Sequence, residues 1–500
     1  MKKLLIVMLA FAALFIGCKR ESSEKRILRF QFANPSVEAT INEGAKTIVA
    51  NMPEGTDVTN LVPMITISDK ASVDPASGIP QDFTNPKTYV VTAEDGSNTS
   101  YTVTVTKGGG GGGGGQTTDP TTIDGNISAN TTWPDLGLPV DYIIDGYCYI
   151  EGNAMLTIEP GVTIMFTGSD CAIIVEENAG IHMVGTPDKH IRLVNATNNN
   201  NHGAWRVFRV ESNRADNMME YVDFINGGSD DGYAVLHIDG NAKLSVKHCL
   251  IDGSLGNGIQ VDGTLTAFEN NTIKNCEKYP MEIKNANHVN QLGTGNTYTA
   301  NTINMIWFNH YWIDNGTQNS TFTFTNQGVP YHMTEGMNVD ENNIMVVEAG
   351  CEFVFGYDEP FIVSDGSLIK VNGTAAQPVI FRGESNEAGL WEGIEVNTTR
   401  STNGGCNLTN CIIDGAGMYE KGALYLNEDT RLNINGLSVS NSGTYGLNIE
   451  IPTVWDDAAE DYIYDYNSYH VTATGLTFSN CANGNIWERA KGVVFSAWPN

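Results

Sequence analysis

LTIEPGVTIMF at residues 156–166 and MVVEAGCEFVF at residues 345–355 are two versions of one phrase, 345 − 156 = 189 residues apart. Each reads as a short strand, a Gly-containing turn and a second strand. The register extends outward from both. Gly185-Thr186 matches Gly373-Thr374, and Leu236, Leu244, Val246, Gly258, Ile259 and Val261 match Leu424, Leu432, Ile434, Gly446, Leu447 and Ile449, each pair differing by 188. Asn275-Cys276 matches Asn480-Cys481 at 205, so the second version carries 205 − 188 = 17 extra residues just before that point. So many apolar positions in one register mark a tandem duplication.

A shorter period runs inside each copy. Ile238-Asp239-Gly240, Val261-Asp262-Gly263 and Ile283-Lys284-Asn285 recur after 23 and 22 residues. Strands of four or five residues broken by Gly, Asn and Asp turns, at a period near 22, predict stacked β-coils. The Leu/Asn signature of a leucine-rich repeat is absent. The phrases LTIEPGVTI, GTPDKHIRL, GTAAQPVIF and LWEGIEV are similar to right-handed parallel β-helices of the pectin-lyase-like kind, over about Ile123 to Asn500. That resemblance implies a fold rather than a reaction.

Upstream, Ile27 to Thr106 holds the alternating runs ILRFQF, TIVANM, MITIS and TYVVTAEDGSNTSYTVTV, the last a hairpin with its turn at Glu94 to Asn98. This pattern predicts a small antiparallel β-sandwich. Met52 to Leu61, Val73 to Gly78 and Thr88 to Val105 resemble an immunoglobulin-like module common in Gram-negative surface lipoproteins, where it serves as a spacer. Gly108 to Gly115 is an unbroken glycine run, a flexible tether. The expected class is all-β: a small antiparallel β-sandwich, then a right-handed parallel β-helix built from a tandem duplication. The expected boundaries are 1–17 signal peptide, 18–26 tether, 27–106 sandwich, 107–122 linker, 123–311 first β-helix copy, and 312–500 second copy with a C-terminal cap.

Lys2 and Lys3 precede 13 apolar residues, Leu4 to Ile16, followed by Gly17-Cys18. The run is too short to span a bilayer comfortably, so it reads as a signal peptide. A small residue before Cys resembles a bacterial lipoprotein signal, which implies acylation of Cys18 and attachment to a membrane. Lys19, Arg20 and Glu21 lack the Asp that retains such proteins at the inner membrane, so the expected address is the outer membrane, at the cell surface. The 500 residues carry 28 Lys+Arg against 58 Asp+Glu, a net charge of −30. That charge repels phosphate backbones and excludes a nucleic-acid partner. Apart from Cys18 there are eight Cys, with no CxxC and no HExxH, so buried free thiols are expected, with Cys406 and Cys411 the one local candidate for a disulfide.

Period-2 alternation assigns faces. With Leu236 and Ile238 inward, His237 points outward, as do Gln260, Glu282 and Arg209, one above another at about 4.8 Å per coil. In the second copy the row reads Glu395, Tyr425 and Asn448. This strip on one sheet is either a carbohydrate-contacting surface or an ordinary solvated face. Glycoside hydrolysis needs paired carboxyls and uronate elimination needs a cation with a base. The candidate Asp pair, Asp230-Asp231, lies in the turn GGSDDG without the companions that β-helical hydrolases carry. The expected function is therefore non-enzymatic binding of glycan or protein ligands by a surface lipoprotein, with a polysaccharide lyase or glycoside hydrolase as the alternative.

The 17-residue excess falls in IPTVWDDAAEDYIYDYNSYH, residues 451–470. Trp455, Tyr462, Tyr464, Tyr466 and Tyr469 alternate there with Asp456, Asp457, Glu460, Asp461 and Asp465. A solenoid accepts insertions as loops on one face, where aromatic rings stack on sugars and carboxylates take hydroxyls or Ca2+. The acid spacing fits no EF-hand, and no other cofactor is implied. This loop is expected to hold ligand contacts and to be dispensable for folding.

Overall fold

The computed structural model describes residues 22–499 except 34–35, 45, 53–55, 108–118, 197–200, 230–233 and 402–404. The Leu4–Ile16 run, Cys18, the glycine run and Asp230-Asp231 lie outside the described residues. Two compact units form, Met1–Thr117 and Thr118–Asn500.

In the first unit Ile27–Ala33 lies between Ser36–Glu38 and Pro63–Ile67 in a three-stranded sheet, and five more strands form a second sheet. Both contribute to one core, where the buried rings of Phe30 and Tyr89 meet edge-on at 5.2 Å. The pairing corrects the expectation of a purely antiparallel module, because Thr47–Met52 runs parallel to Asn98–Lys107. Val49 pairs with Thr104, 104 − 49 = 55 residues on. A connection that long can carry the chain back to enter in the same direction, which a hairpin cannot. The expected hairpin is present, Lys87–Thr92 against Asn98–Lys107, and Asn98 already belongs to its second strand.

The second unit is a stack of parallel coils around one apolar core running from Ile127 to Ile486. Leu236 pairs with Ile259 and Ile259 with Met281. At the 188 offset Leu424 pairs with Leu447 in the same way. Core aromatics repeat too. Phe166 stacks on Trp205 at 4.3 Å and Phe355 on Trp391 at 4.3 Å, and each indole N–H donates to a carbonyl of the next coil. The matched glycines have a steric cause, since a Cβ on Gly185 would fall 2.7 Å from the Tyr221 carbonyl and one on Gly373 2.1 Å from that of Asn410. Asn441 (φ 52°) and Asn480 (φ 54°) turn successive coils in the left-handed region, and their side-chain amides bond at 2.7 Å.

The copies join with a shift of face. Ile306–Phe308 pairs with Tyr331–Met333. The first-copy counterpart of Tyr331 is residue 331 − 189 = 142, and Tyr142–Ile144 sits in a different sheet from the one that leads to Ile306. The sheet carrying Arg209 and His237 therefore continues into a 17-stranded sheet, whereas Gly393–Val396, Leu424–Leu426 and Tyr445–Ile449 belong to a separate eight-stranded one. Cys148, Cys171, Cys249, Cys276, Cys351, Cys406 and Cys411 are buried free thiols; Cys481 is free and half-buried. No described helix is long and apolar enough to cross a membrane.

His288 is buried, bonded through Nε2 to the Gly263 carbonyl, and burial pulls its pKa down to about 4. The unfolded chain takes up this proton near pH 6.5 and the folded chain only near 4, so this stabilising contribution is lost as pH falls through that window. The loss reaches roughly 3 kcal/mol. Replacing His288 by Asn should flatten this part of the stability–pH curve in chemical denaturation; parallel curves for the two proteins would refute the assignment.

Candidate functional site

The first-copy row is continuous, and pairing places Arg209, His237, Gln260 and Glu282 on successive strands, with Trp307 and His332 following. It is not the open strip expected from the sequence. His237 is 6% exposed, Gln260 8% and Glu282 4%. The residues two positions along each strand close over the row. Arg209 Nε donates to Asp239 at 3.0 Å, while His237 Nε2 and Gln260 Nε2 reach Asp262 at 2.7 and 2.8 Å. Glu282 accepts from Asn257 (2.9 Å) and Asn309 (2.8 Å). Burial alone would raise the Asp262 pKa, but bonds from His237 and Gln260 and the Lys284 charge hold it below the usual carboxylate range.

His237, Asp239 and Asp262 are the one group of three convergent metal donors among the described residues. Arg209 already occupies Asp239, and Gln260 and Lys284 face Asp262. A cation would have to displace these partners, so both carboxylates are already neutralised within an ion-pair network.

Farther along the row, the Tyr279 hydroxyl donates to His332 Nδ1 (2.7 Å), and His332 Nε2 donates to Glu384 (2.6 Å). Tyr279 stacks on Trp307 at 5.2 Å. Burial pushes the Tyr279 phenol up to about 12, so it keeps its proton and serves as a donor rather than a base. Burial and mutual repulsion also raise Glu359, beside Glu335 and Asp358, and Glu392, beside Asp358.

The second-copy row lies on the eight-stranded sheet and opens into a cleft. Glu395, Tyr425 and Asn448 stack in order and Asn448 pairs onward with Trp487. Two rows on two sheets replace the single strip expected. Glu420, Lys421, Tyr445, Asn448, Asn483, Trp487 and Arg489 line a cleft of about 440 Å3. The Tyr445 and Trp487 rings stack at 5.1 Å with 13° between planes. Lys421 is ion-paired with Glu395 and Arg489 donates to the Tyr425 hydroxyl at 3.2 Å. Asn448 is 4% exposed, its Nδ2 donates to the Glu420 carbonyl, and its Oδ1 has no partner.

The excess residues form an antiparallel hairpin, Thr453–Asp456 against Asp461–Tyr464. Its parts behave differently. Trp455 (50% exposed) and Tyr462 (55%) meet edge-on at 5.3 Å in the open, and exposed Tyr466 lies against Tyr464 at 5.7 Å. Tyr464 instead donates to the buried carboxylate of Glu488, and Tyr469 stacks on Trp498 at 6.0 Å. The loop is thus anchored at its base, against the expectation that folding can dispense with it. Its acids serve local turns: Asp456 accepts from Ala458 N, Asp457 from Trp455 Nε1, Asp461 from Tyr462 N and Asp465 from Asn467 N.

Trp487, Arg489, Tyr445 and Lys421 were not singled out from the sequence. The signal for Trp487 is the coil period of 22 plus the 17-residue excess, 22 + 17 = 39, which is the step from Asn448 to Trp487.

Residues 27–105 match a family model described as SGBP, N-terminal. Among solved structures, a candidate glycoside hydrolase of Bacteroides thetaiotaomicron VPI-5482 is 33% identical over 18% of this chain, with a TM-score of 0.16. The match spans 27% of that protein's length. A secreted protein of Bacteroides fragilis NCTC 9343 is 20% identical over 17% of this chain and 95% of its own, with a TM-score of 0.14. No curated protein matches significantly.

Proposed function

We propose that the chain is a non-enzymatic surface glycan-binding lipoprotein of the outer membrane, anchored through Cys18, with an immunoglobulin-like spacer, a glycine tether and a right-handed, pectin-lyase-like β-helix. The observation that carries this reading is the cleft at Asn448. Its stacked Tyr445 and Trp487 rings offer an apolar surface to a sugar, while Arg489 and the unpartnered Asn448 Oδ1 supply one donor group and one acceptor for hydroxyls. The family model matched by residues 27–105 bears the name of surface glycan-binding proteins, which supports both the ligand class and the cell-surface address. Trp455, Tyr462 and Tyr466 in the inserted loop are exposed aromatic rings of the same kind.

The test is the secreted form, beginning after Cys18, against a panel of polysaccharides. Binding is expected with no new reducing ends and no unsaturated-uronate absorbance; either product would establish the hydrolase or lyase alternative instead. Trp487→Ala should weaken binding by about tenfold, or roughly 1.4 kcal/mol, while the melting transition stays near that of the parent. Unchanged affinity would move the ligand elsewhere.

A further inference from the structure

A second cleft lies at the start of Leu432–Ser440 and Val471–Thr474, has a volume of about 330 Å3, and is lined in part by Ser401, Arg431, Asn433, Tyr469, His470 and Thr472. We propose that it binds an oxyanion, the sulfate or carboxylate of a charged sugar.

The argument begins with register. Leu432 pairs with Val471, and Leu432 N donates to the His470 carbonyl. Arg431 and His470 therefore occupy the same position on successive coils, one inter-strand spacing of about 4.8 Å apart. Both side chains line the cleft, and among the described residues neither has a carboxylate or hydrogen-bond partner. Arg400 and Arg489 donate to carbonyl or hydroxyl oxygens, so Arg431 stands apart in having no side-chain partner among the described residues. Arg29, Arg209, Arg214 and Arg382, for example, each have a carboxylate partner.

The neighbourhood is basic beyond this pair. The buried Cys406 thiol at the cleft wall feels the positive charges of Lys370 and Arg400. Arg400 is itself held by the carbonyls of Asn342 and Gly366. No acid is among the lining residues. Three cationic side chains, Arg431, Lys370 and Arg400, gathered on one part of a strongly acidic protein focus a local positive potential. A planar guanidinium fork suits two oxygens of one anion, and a His470 ring N–H on the next coil can donate to a third. Tyr469 supplies the sugar-facing element: its ring lines the cleft with Trp498 stacked on it at 6.0 Å, and its hydroxyl is buried without a partner.

That the oxyanion belongs to a glycan rests on the proposed function above; that an oxyanion binds here rests on this cleft alone. The experiment titrates the secreted form with sodium sulfate, sodium glucuronate and, as a neutral control, glucose, following the protein by NMR. Binding of sulfate or of glucuronate is expected, and which one binds names the group. Arg431→Gln should weaken it at least tenfold, Arg431→Lys by less because it keeps the charge and loses the fork, and Trp487→Ala should leave it unchanged. Arg431 is half-exposed, and a melting scan checks that its variants fold. Failure of both anions to bind, or equal binding by Arg431→Gln and the parent, overturns the proposal. Anion binding in a protein that binds no polysaccharide would sink the glycan reading and leave the oxyanion site standing.

Discussion

Ile259→Asp should destabilise the second unit by about 5 kcal/mol and lower its melting temperature by more than roughly 10 °C. Ile259 is fully buried and stacked between Leu236 and Met281 in the core common to both copies. Losing its burial costs roughly 2–3 kcal/mol, and a carboxylate in that stack has no cation to meet, which adds several more. Coils are stabilised by their neighbours, so a break at this level uncouples the coils on either side. Ile259→Val is the control, expected to cost only about 1 kcal/mol. Calorimetry of the secreted form compares all three proteins. A melting curve of Ile259→Asp that overlays the parent would mean the inward face has been misassigned.

The alternation that makes this prediction possible was legible in the sequence because a coil strand has one rule: its inward positions are apolar and its period is two. Leu236, Ile259 and Met281 obey it, and so the row Arg209, His237, Gln260 and Glu282 follows from the alternation alone. Its burial could not. Whether an outward side chain meets water depends on which neighbours lean over it, and Asp239, Asp262 and Asn257 do so through hydrogen bonds that no local pattern announces. The shift of face between the copies was hidden for a related reason. A repeat offset records which residues correspond, not how far the chain rotates at the join near Ile306–Phe308. The two outward rows lie in unlike surroundings, one closed into an ion-pair network around Asp262 and one ending at Asn448, itself buried, in the wall of a cleft beside an aromatic pair. In the first unit, the parallel pairing of Val49 with Thr104 was missed because short strands punctuated by Gly and Pro suggest hairpins, and only tertiary packing brings residues 55 apart together.

Glu488→Ala should cost about 3–5 kcal/mol and release the hairpin as well. Glu488 is fully buried, and its carboxylate accepts from Ile451 N (3.3 Å), Ala490 N (3.0 Å), Lys491 N (2.9 Å) and the Tyr464 hydroxyl. Four donors from three segments meet on one side chain: the continuation of the Tyr445–Ile449 strand, the base of the hairpin and the turn before Val493–Phe495. Alanine leaves those donors without an acceptor in a dry site, which costs more than the net worth of the bonds themselves. Glu488→Gln keeps the shape and one acceptor oxygen, so it should fall between. Lys491, which lies over the Tyr464 ring at 5.1 Å and bonds the Tyr462 carbonyl, holds the hairpin by a second contact and should keep it from detaching fully in the Gln variant. Limited proteolysis reads the hairpin, with faster cleavage between Asp456 and Asp461 expected in the order Ala, Gln, parent; calorimetry reads the unit. Because Trp487 and Arg489 flank Glu488 on the same strand end, glycan binding should fall together with stability in Glu488→Ala, whereas Trp487→Ala lowers binding alone. If Glu488→Ala melts and digests like the parent, the Tyr464 contact does not anchor the hairpin, and the loop is as independent of the fold as its sequence suggested.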